Sequence, residues 1–333
     1  MGRTAAFMIL GLALAFAFIG YALNRSNVNS VTNMSSYFNY STARNIAHTA
    51  VNIALHQLED GDTTSFSGGV MAGTYNVTIV FTGDTLDMTS KGQFVDTSYT
   101  MVLKLKRYAK PFPDVNAGVS LAVDSVNFSM QGSASIDGRN HDINGGLQSN
   151  SNDKAGVSVL DTHDSTTVAQ YNSKITGSPK VKVDPNISDP RNYVDEYIAN
   201  ADYSFSAGVY GNNDTWGSAT SPVIVVCDAG SGQVKFTGTI EGWGILVVKG
   251  NLTIAGTFKF HGLVLVYQDS EIDDQVSTDV GTPRVIGGII MTGGAGSKFT
   301  VKGNGAFLYS FDAIDKAKNM VKLRAYTILR WYE

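Results

Sequence analysis

The stretch Thr4–Leu23 reads TAAFMILGLALAFAFIGYAL, twenty residues without one charged side chain, and it lies between Arg3 and Arg25. At about 1.5 Å of rise per residue, a helix of this length spans the ~30 Å hydrocarbon core of a bilayer. A secretory signal peptide has an apolar region of only about 7–15 residues, followed by a cleavage site between small residues. No such site follows Leu23, so the sequence predicts a retained membrane helix.

The helical pattern continues beyond the apolar run, with no Pro or Gly before Gly61. Glycine at this point suits the first position after a helix. The pattern therefore predicts one helix from about Thr4 to Asp60, roughly 85 Å long at ~1.5 Å per residue. Apolar or small residues recur at steps of three and four, with one final step of five, which places them on one face: Val28, Val31, Met34 or Ser35, Phe38, Thr42, Ile46, Ala50, Ile53 and Leu58.

Charge is almost absent from this helix. Arg3, Arg25 and Arg44 are its only formal charges before Glu59. Soluble coiled coils carry charge pairs along their flanks, so an uncharged surface indicates burial among copies of the same helix. Asn, Ser and Thr are frequent between Asn24 and Thr42 and are poor helix formers, so we expect local fraying there.

Residues 73–108 alternate apolar and polar side chains in the segments TYNVTIVF, TLDMTSKG and DTSYTMVLKLKRY. This period of two predicts a half-buried antiparallel meander, packed on the C-terminal half of the long helix. Turns are expected at Thr82–Asp84 and at Lys91–Gln93. Pro111-Phe112-Pro113 then breaks the pattern and predicts a boundary near residue 112.

Beyond this boundary, short apolar runs begin at Ile245, Leu263, Ile289 and Phe307, with the longest interval between the second and the third. A repeat of about 20 residues with one buried strand is typical of a β-solenoid, and a β-sandwich with coincidental spacing is the alternative. Short helices are expected after Asp189 and after Ser310, which are capping residues. A closing strand is expected in LRAYTILRWYE.

The two halves of the long helix, TAAFMILGLALAFAFIGYALNRS and ARNIAHTAVNIALHQLEDG, followed by a strand meander, resemble the type IV pilin family. The nearest resemblance is to PilX-type proteins, because VVKGNLTIAG, GLVLV, IGGII, GNGAFLYSFDAI and RWYE are similar to their large C-terminal domain. Unlike the usual pilins, this chain has no carboxylate in the apolar run, and only Met-Gly-Arg precedes it.

The resemblance implies a helix that lies in the inner membrane before assembly and in the core of an extracellular filament afterwards. It implies three kinds of partner: further copies of the chain, other pilins and the inner-membrane assembly machinery. Surface ligands would bind the outer domain, as in cell adhesion. Eleven residues are expected in the filament-core helix: Phe7, Ile9, Leu10, Leu12, Leu14, Phe16, Phe18, Ile19, Leu23, Val28 and Val31.

The fold class expected from these features is α+β, in three parts. Residues 1–60 form the long helix, 61–112 an antiparallel β meander, and 113–333 a Gly-rich, β-solenoid-like surface domain with two short helices. The expected function is that of a structural subunit of a type IV pilus-like filament. The alternatives are a minor pilin or pseudopilin that carries an adhesive or priming domain, and a membrane-anchored binding module.

The densest polar motif is SASIDGRNHDINGG, from Ser133 to Gly146. Asp137, Asp142 and Asn144 offer oxygen ligands that could hold Ca²⁺, but Asp and Asn side chains also cap turns without an ion. A capped turn is therefore the first expectation, with a Ca²⁺ site and then a catalytic site as the alternatives, and no cofactor other than Ca²⁺ is expected. A second acidic group occurs at Asp269, Glu271, Asp273, Asp274 and Asp279; its expected form is a solvated loop.

Composition excludes some classes of function. The chain has 333 residues, with 25 Lys and Arg against 29 Asp and Glu, for a net charge of −4 and no basic block. It lacks the clustered cations that bind a nucleic-acid backbone. It has neither the GxSxG nor the HExxH motif, and its one cysteine, Cys227, follows an apolar run as a core residue would. We therefore expect no enzyme; a polysaccharide-cleaving β-helix is the enzymatic alternative.

Overall fold

The computed structural model describes residues 2–149, 152–267 and 275–333. The chain divides into two compact units. The first contains Met1–Tyr108 together with Arg324–Glu333, and the second contains Ala109–Leu323. The fold is α+β, with one long helix on an antiparallel sheet in the first unit and a large parallel sheet in the second.

Helix α1 runs without interruption from Gly2 to Glu59. Gly61 has a φ of +91°, and the amides of Gly61 and Asp62 donate to the carbonyls of Leu58 and Gln57 at 3.2 and 2.7 Å. This pair of bonds is a Schellman motif, which confirms the predicted helix end. The expected fraying between Asn24 and Thr42 is absent in the structure, where this segment is helical throughout.

The antiparallel meander of the first unit contains β1 (Phe66–Val70), β2 (Gly73–Thr82), β3 (Thr85–Phe94) and β4 (Thr97–Ala109). The C-terminal half of α1 packs on it, as predicted. This core consists of apolar side chains from the helix and from three strands: Ala47, Ala50, Val51, Ala54, Leu58, Val77, Leu86, Met88, Met101, Leu103 and Leu105.

The prediction of a turn at Lys91–Gln93 was wrong. These residues lie inside β3, and the turn instead follows Phe94 at Val95, whose φ is +51°. Gly92 is a packing residue: a Cβ there would meet the carbonyl oxygen of Ala43 and the backbone nitrogen of Ala47 on α1. Glycine therefore brings the strand close to the helix rather than reversing the chain.

The C-terminal strand, Arg324–Tyr332, is the fifth strand of this first sheet and lies beside β4. The sequence predicts that all of residues 113–333 belong to the second domain, but in the structure the C-terminal strand belongs to the first unit. The whole second unit separates this strand from β4 along the chain. Such a pairing leaves no local signal, because alternation predicts a strand without saying which sheet it joins.

The second unit contains a 15-stranded sheet. Its strands are β5 (Ala117–Val123), β6 (Asn127–Met130), β7 (Ser135–Asp137), β8 (Ala155–Val159), β9 (Ile175–Thr176), β10 (Val181–Val183), β11 (Tyr203–Ser206), β12 (Gly208–Tyr210), β13 (Asp214–Trp216), β14 (Val223–Phe236), β15 (Thr239–Tyr267), β16 (Gln275–Gly281), β17 (Arg284–Gly293), β18 (Lys298–Val301) and β19 (Ala306–Tyr309). Three short helices accompany them: α2 (Thr162–Ala169), α3 (Val194–Ala199) and α4 (Phe311–Lys318).

Neighbouring strands of this sheet pair in parallel at short sequence intervals. Val225 pairs with Leu246, and Val264 pairs with Ile289. The backbone comes very close between successive strands, because a Cβ on Gly244, Gly262 or Gly287 would meet the carbonyl oxygen of Val223, Gly244 or Gly262. These three glycines have φ values of +122°, +137° and +146°, which only glycine adopts readily.

The order of strands in space differs from their order in sequence. Strand β17 pairs with β5, β5 with β8, and β8 with β10, so these three early strands lie beyond β17 in the sheet. The segment 184–202 then returns the chain to the opposite end, where β11 pairs with β14. Phe307 pairs with Val285, and Val119 is the partner of Ile289.

The helix predicted after Ser310 is confirmed, whereas the helix predicted after Asp189 begins later than expected. The hydroxyl of Ser310 accepts from the Ala313 amide at 3.2 Å and begins α4. Asp189 caps a 3₁₀ turn, Pro190–Asn192, and α3 begins only at Val194. Another 3₁₀ turn, Val321–Leu323, precedes the C-terminal strand.

The glycine contacts give a first prediction. Gly262→Ala should lower the free energy of unfolding of the second unit by about 3 kcal/mol or more, because the methyl group would collide with the backbone of Gly244. Gly230→Ala is the matched control: its φ is also positive, at +53°, but the position has open space for a Cβ, so the loss should be about 1 kcal/mol. Urea unfolding followed by the fluorescence of Trp216 and Trp243 measures both; equal losses would contradict the packing argument.

Candidate assembly surface

The N-terminal part of α1 is exposed on all sides. Every residue from Phe7 to Phe38 is exposed, and the side chains predicted for the filament core have exposed fractions between 55 and 78%. These residues are Phe7, Ile9, Leu10, Leu12, Leu14, Phe16, Phe18, Ile19, Leu23, Val28 and Val31. By length and composition the helix is long and apolar enough to cross a membrane.

This exposure is unfavourable in water. Full burial of a large apolar side chain contributes about 1.5–3 kcal/mol, so eleven such side chains leave on the order of 15 kcal/mol unrealised. Large exposed apolar surfaces on proteins mark contacts with a membrane or with other proteins. The surface between Phe7 and Phe38 is therefore the strongest candidate for a functional site in this chain.

The exposed part of α1 ends where the sheet of the first unit begins to cover it. Phe38 makes an edge contact with Phe94 at 6.0 Å between ring centroids, and Tyr40 makes one with Tyr99 at 5.4 Å. Ala43 is the first fully buried residue. Further along, the Ser90 hydroxyl donates to the Ala47 carbonyl at 2.9 Å inside the core.

Contacts of Glu333 and Trp331 connect the C-terminal strand to α1. The carboxylate of Glu333 forms an ion pair with Arg44, and it lies 3.5 Å from His48 Nε2. Trp331 Nε1 donates to the same carboxylate at 3.2 Å, and its ring lies 5.9 Å from that of His48. The hydrogen bond from Arg44 is the main reason that the pKa of Glu333 lies below its ordinary value.

The three residues predicted to hold Ca²⁺ lie in two different local structures. Burial opposes the ionisation of Asp137, but hydrogen bonds from Arg139 outweigh this effect and lower the pKa of Asp137. Arg139 donates from Nε at 3.0 Å and from Nη2 at 2.6 Å. Asp142 Oδ1 accepts from the amides of Gly146 and Asn144, both at 2.8 Å, and the Gly146 bond contributes most to its lowered pKa. These bonds are those of capped turns; Ca²⁺ binding stays a prediction.

The second acidic group of the sequence falls on a part of the chain that is not described. Asp269, Glu271, Asp273 and Asp274 lie outside the described residues, and so does the side chain of Asp279.

Among the described residues, a different set of possible ligands comes together at the start of α2. Asp161, His163 and Asp164 each offer one ligand atom, within 4.8 Å of one another. Asp161 Oδ1 accepts from the Asp164 amide at 2.9 Å, so it caps the helix, and Asp164 Oδ1 accepts from the Val126 amide at 3.0 Å. Burial raises the pKa of Asp164. The signal for this group was an Asp followed three residues later by another acid, which also describes an N-terminal helix cap.

A second group that sequence reasoning missed lies on β15. The ring of His261 stacks on Trp243 at 4.7 Å, and its Nε2 lies 3.1 Å from Glu241 Oε1. Its Nδ1 lies 2.5 Å from the Ile143 carbonyl oxygen. Burial lowers the pKa of His261, whereas for Glu241 burial is outweighed by hydrogen bonds from His261 and Lys259, which lower its pKa. The sequence interval between Trp243 and His261 equals the one between the apolar runs that begin at Ile245 and Leu263.

Comparisons with known structures include a distant likeness. A crystal structure of the competence-associated pilin ComZ from Thermus thermophilus aligns over 89% of this chain and 97% of its own length, at 10% identity and a TM-score of 0.24. No protein-family description and no curated protein matches the chain. A TM-score of 0.24 is too low to establish a common fold, so an assignment of function depends on the features of the chain itself.

The C-terminal contact gives a second prediction. Because the pKa of Glu333 is lowered in the folded state, its contribution to the contact is present above the unfolded value of about 4.3 and is lost as the pH falls through the folded value. Arg44→Met should raise this pKa. The indole N–H signal of Trp331, recorded by NMR on the full chain in micelles, should therefore titrate at a higher pH in this variant.

Arg107→Met is the control, because Arg107 pairs with Asp84, 3.4 Å away in the same unit, and not with Glu333. Its Trp331 signal should titrate as in the wild type. An unchanged midpoint in Arg44→Met would show that the ion pair does not hold the carboxylate.

Proposed function

We propose that this chain is a pilin-like subunit of a type IV pilus-like filament, with α1 in the filament core and the β units outside. The observation that carries the proposal is the exposed, uncharged surface of α1 from Phe7 to Phe38, which Arg25 alone interrupts. Because this surface carries almost no charge, packing among copies of the helix buries it with little electrostatic repulsion. The sequence resemblance to the PilX-type proteins agrees with this role.

Before assembly, the same surface serves as a membrane anchor in this proposal. The segment Phe7–Leu23 is uncharged and long enough to cross most of a bilayer at about 1.5 Å per residue. Arg25 follows it closely, where a cation can reach the interface. The helix then leaves the inner membrane for the filament, with other pilins and the assembly machinery as its partners.

We infer that the parallel sheet of the second unit is a β-solenoid, the outermost part of the filament. Support comes from the close glycine contacts that recur from Gly244 to Gly262 and from Gly262 to Gly287, as expected for a repeat of roughly 20 residues. Each strand of a solenoid buries its neighbours and leaves an outer face for ligands. Cell adhesion through this face is the role we propose for it.

A structural role suits the side chains of the parallel sheet better than polysaccharide cleavage does. A general acid needs a raised pKa. Asp137 and Glu241 have lowered values, since each is held by cationic or hydrogen-bonding neighbours. The pKa of Asp164 is raised, but its side chain is fully buried and out of reach of a polymer.

Two alternative roles use the same anchor. A minor pilin or pseudopilin would cap or prime a filament made mostly of another protein, and a membrane-anchored binding module would form no polymer. Electron microscopy of material sheared from the producing cells, with mass spectrometry of its main protein band, separates the three. A main subunit dominates the filaments, a minor pilin is a trace component, and an anchored module stays in the membrane.

A pair of leucine variants tests the role of α1 and gives the third prediction. Leu14→Glu places a charge in the apolar helix, which costs about 2.5–3.5 kcal/mol in a membrane-like environment, so we expect at least a tenfold loss of filaments. Leu147→Glu is the control, since this leucine is exposed to nearly the same degree, 56 against 59%, but lies in the second unit. It should assemble as the wild type does.

Deletion of Phe7–Leu23 is the companion experiment. The product should be a soluble monomer, measured by gel filtration and light scattering. Filaments formed by this deletion variant would refute the proposed function.

A further inference from the structure

The start of α2 contains a buried carboxyl group whose hydrogen bonding is incomplete. The side chain of Asp164 is 1% exposed. Its Oδ1 accepts from the Val126 amide at 3.0 Å, but no residue that the structure describes donates to its Oδ2, which is also buried. Such an oxygen is costly, because it has lost its water without gaining a hydrogen bond. It therefore needs a partner that the described part of the chain does not supply.

Two exposed side chains lie next to this carboxyl group. Asp161 accepts from the Asp164 amide through Oδ1, at 2.9 Å, and its Oδ2 is left for another partner. The Nδ1 of His163 lies 3.5 Å from Asp164 Oδ1, and the His163 side chain is 73% exposed. One ligand atom from each of the three residues lies within 4.8 Å of the other two. All three side chains can therefore reach one ion.

The negative charge of this cluster is not balanced by a basic side chain. Among the described residues, His163 is the only ion-pair partner of Asp164, and Asp161 has none. Burial and the neighbouring Asp161 carboxylate both raise the pKa of Asp164, so each carboxylate makes the other less favourable. A proton would neutralise only one of the two groups. A divalent cation neutralises both and also gives the buried oxygen a partner.

A similar pair elsewhere in the second unit shows the contrast. His141 Nε2 lies 3.7 Å from Asp137 Oδ2, and both side chains are largely buried. There Arg139 pairs with the same carboxylate at 2.6 Å, so the chain itself supplies the cation. No arginine or lysine of the described residues takes this place beside Asp164, which favours a cation from solution.

The geometry of the cluster suits a metal ion. Ligand atoms 2.0–2.2 Å from a tetrahedral ion lie about 3.3–3.6 Å from one another, and the distance from His163 Nδ1 to Asp164 Oδ1 falls in this range. Metal ligands are commonly held in place by further hydrogen bonds. Here the amides of Asp164 and Val126 hold the carboxyl groups of Asp161 and Asp164 in this way.

The ligand types select the class of metal. Imidazole nitrogen suits Zn²⁺ and related transition metals, whereas Ca²⁺ and Mg²⁺ take oxygen ligands. We propose that Asp161, His163 and Asp164 bind a divalent cation of the zinc class, with water completing its coordination. Rotation of the exposed His163 side chain admits the ion to the buried carboxyl group.

The position of this site gives the ion a stabilising role. Helix α2 lies against β8 and β10, and β10 is the end strand of the main path through the parallel sheet. An end strand lacks a neighbour on one side, so the element that covers it has to be held there. The ion holds the first turn of α2, which bonds to the Val126 amide before β6. This role lies within the second unit and is independent of the proposed filament.

Zinc binding is the fourth prediction. Isothermal titration calorimetry of the full chain in micelles, without a histidine tag, should show one Zn²⁺ per chain. His163→Gln removes the nitrogen ligand and should weaken binding by about tenfold or more; its side chain is exposed, so the fold is retained. Asp161→Asn should weaken binding to a similar degree, and because Asn caps helices as well as Asp does, α2 is retained.

His56→Gln is the matched control. His56 also lies 3.5 Å from a carboxylate, that of Glu59, and is 84% exposed, but among the described residues it does not join a group of three possible ligands. Zinc binding should be as in the wild type. Excess Zn²⁺ should also raise the urea midpoint of the second unit, followed by tryptophan fluorescence, in the wild type and in this control but not in His163→Gln.

Three results would overturn the inference. The first is a wild-type chain that binds no Zn²⁺ at a saturable site. The second is binding that His163→Gln and Asp161→Asn leave unchanged, or that His56→Gln weakens equally, since the ion would then be held elsewhere on the surface. The third is displacement of Zn²⁺ by an equal concentration of Ca²⁺, which would assign the site to a metal that takes oxygen ligands.

Discussion

The constraint on which the rest of this structure depends is that α1 continues far beyond the sheet that covers its C-terminal half, apolar up to Leu23 and almost uncharged throughout. From Ala43 onwards one face of α1 is buried on the first sheet, whereas every residue from Phe7 to Phe38 is exposed in the part of the chain that the structure describes. A helix of this kind is stable in a lipid bilayer or among other helices. Each further feature of the first unit serves to hold the covered half in place: the close approach at Gly92, the buried Ser90 bond and the ion pair of Arg44 with Glu333.

In the second unit, many short strands lie close together. Gly244, Gly262 and Gly287 adopt backbone conformations that other residues avoid and sit against the backbone of the preceding strand. Charged groups are kept at turns or paired with a neighbour, as Asp137 is with Arg139 and Glu241 with Lys259. Apolar side chains form most of the core, and buried hydroxyl groups such as those of Thr253 and Ser277 hydrogen-bond to each other.

The sequence predicted the features that depend on neighbours along the chain. The long helix, its end at Gly61, the meander after Gly73 and the cap at Ser310 all follow from local patterns, and the structure has them. The fraying expected between Asn24 and Thr42 was a wrong local prediction, but most of the other mispredicted features depend on residues far apart. Alternation in Arg324–Tyr332 predicts a strand but not its partner, and Gly92 looks like a turn unless the nearby helix is known. The pairing of Ile289 with Val119 joins the two ends of the second unit's sequence, which no repeat interval predicts.

The candidate site shows the same division. The exposure of the helix between Phe7 and Phe38 could be predicted from its composition, because a long apolar run without charged residues is typical of a surface that contacts a membrane or other helices. The sequence predicted the capped turns at Asp137 and Asp142 as its first expectation, because Asp and Asn side chains accept hydrogen bonds from nearby backbone amides. The His261, Trp243 and Glu241 group could not be predicted without the register of β15, since none of its members is unusual alone. The calcium hypothesis stays a prediction.

The central claim is that copies of this chain assemble through α1. Cryo-electron microscopy of filaments sheared from the producing cells tests it most directly, with the helix of each subunit traced into the density. The account predicts a core formed by residues 7–42 of this chain, surrounded by further copies of the same helix, with both β units outside. A core formed by another protein, or a filament whose subunits touch only through their β units, would contradict it.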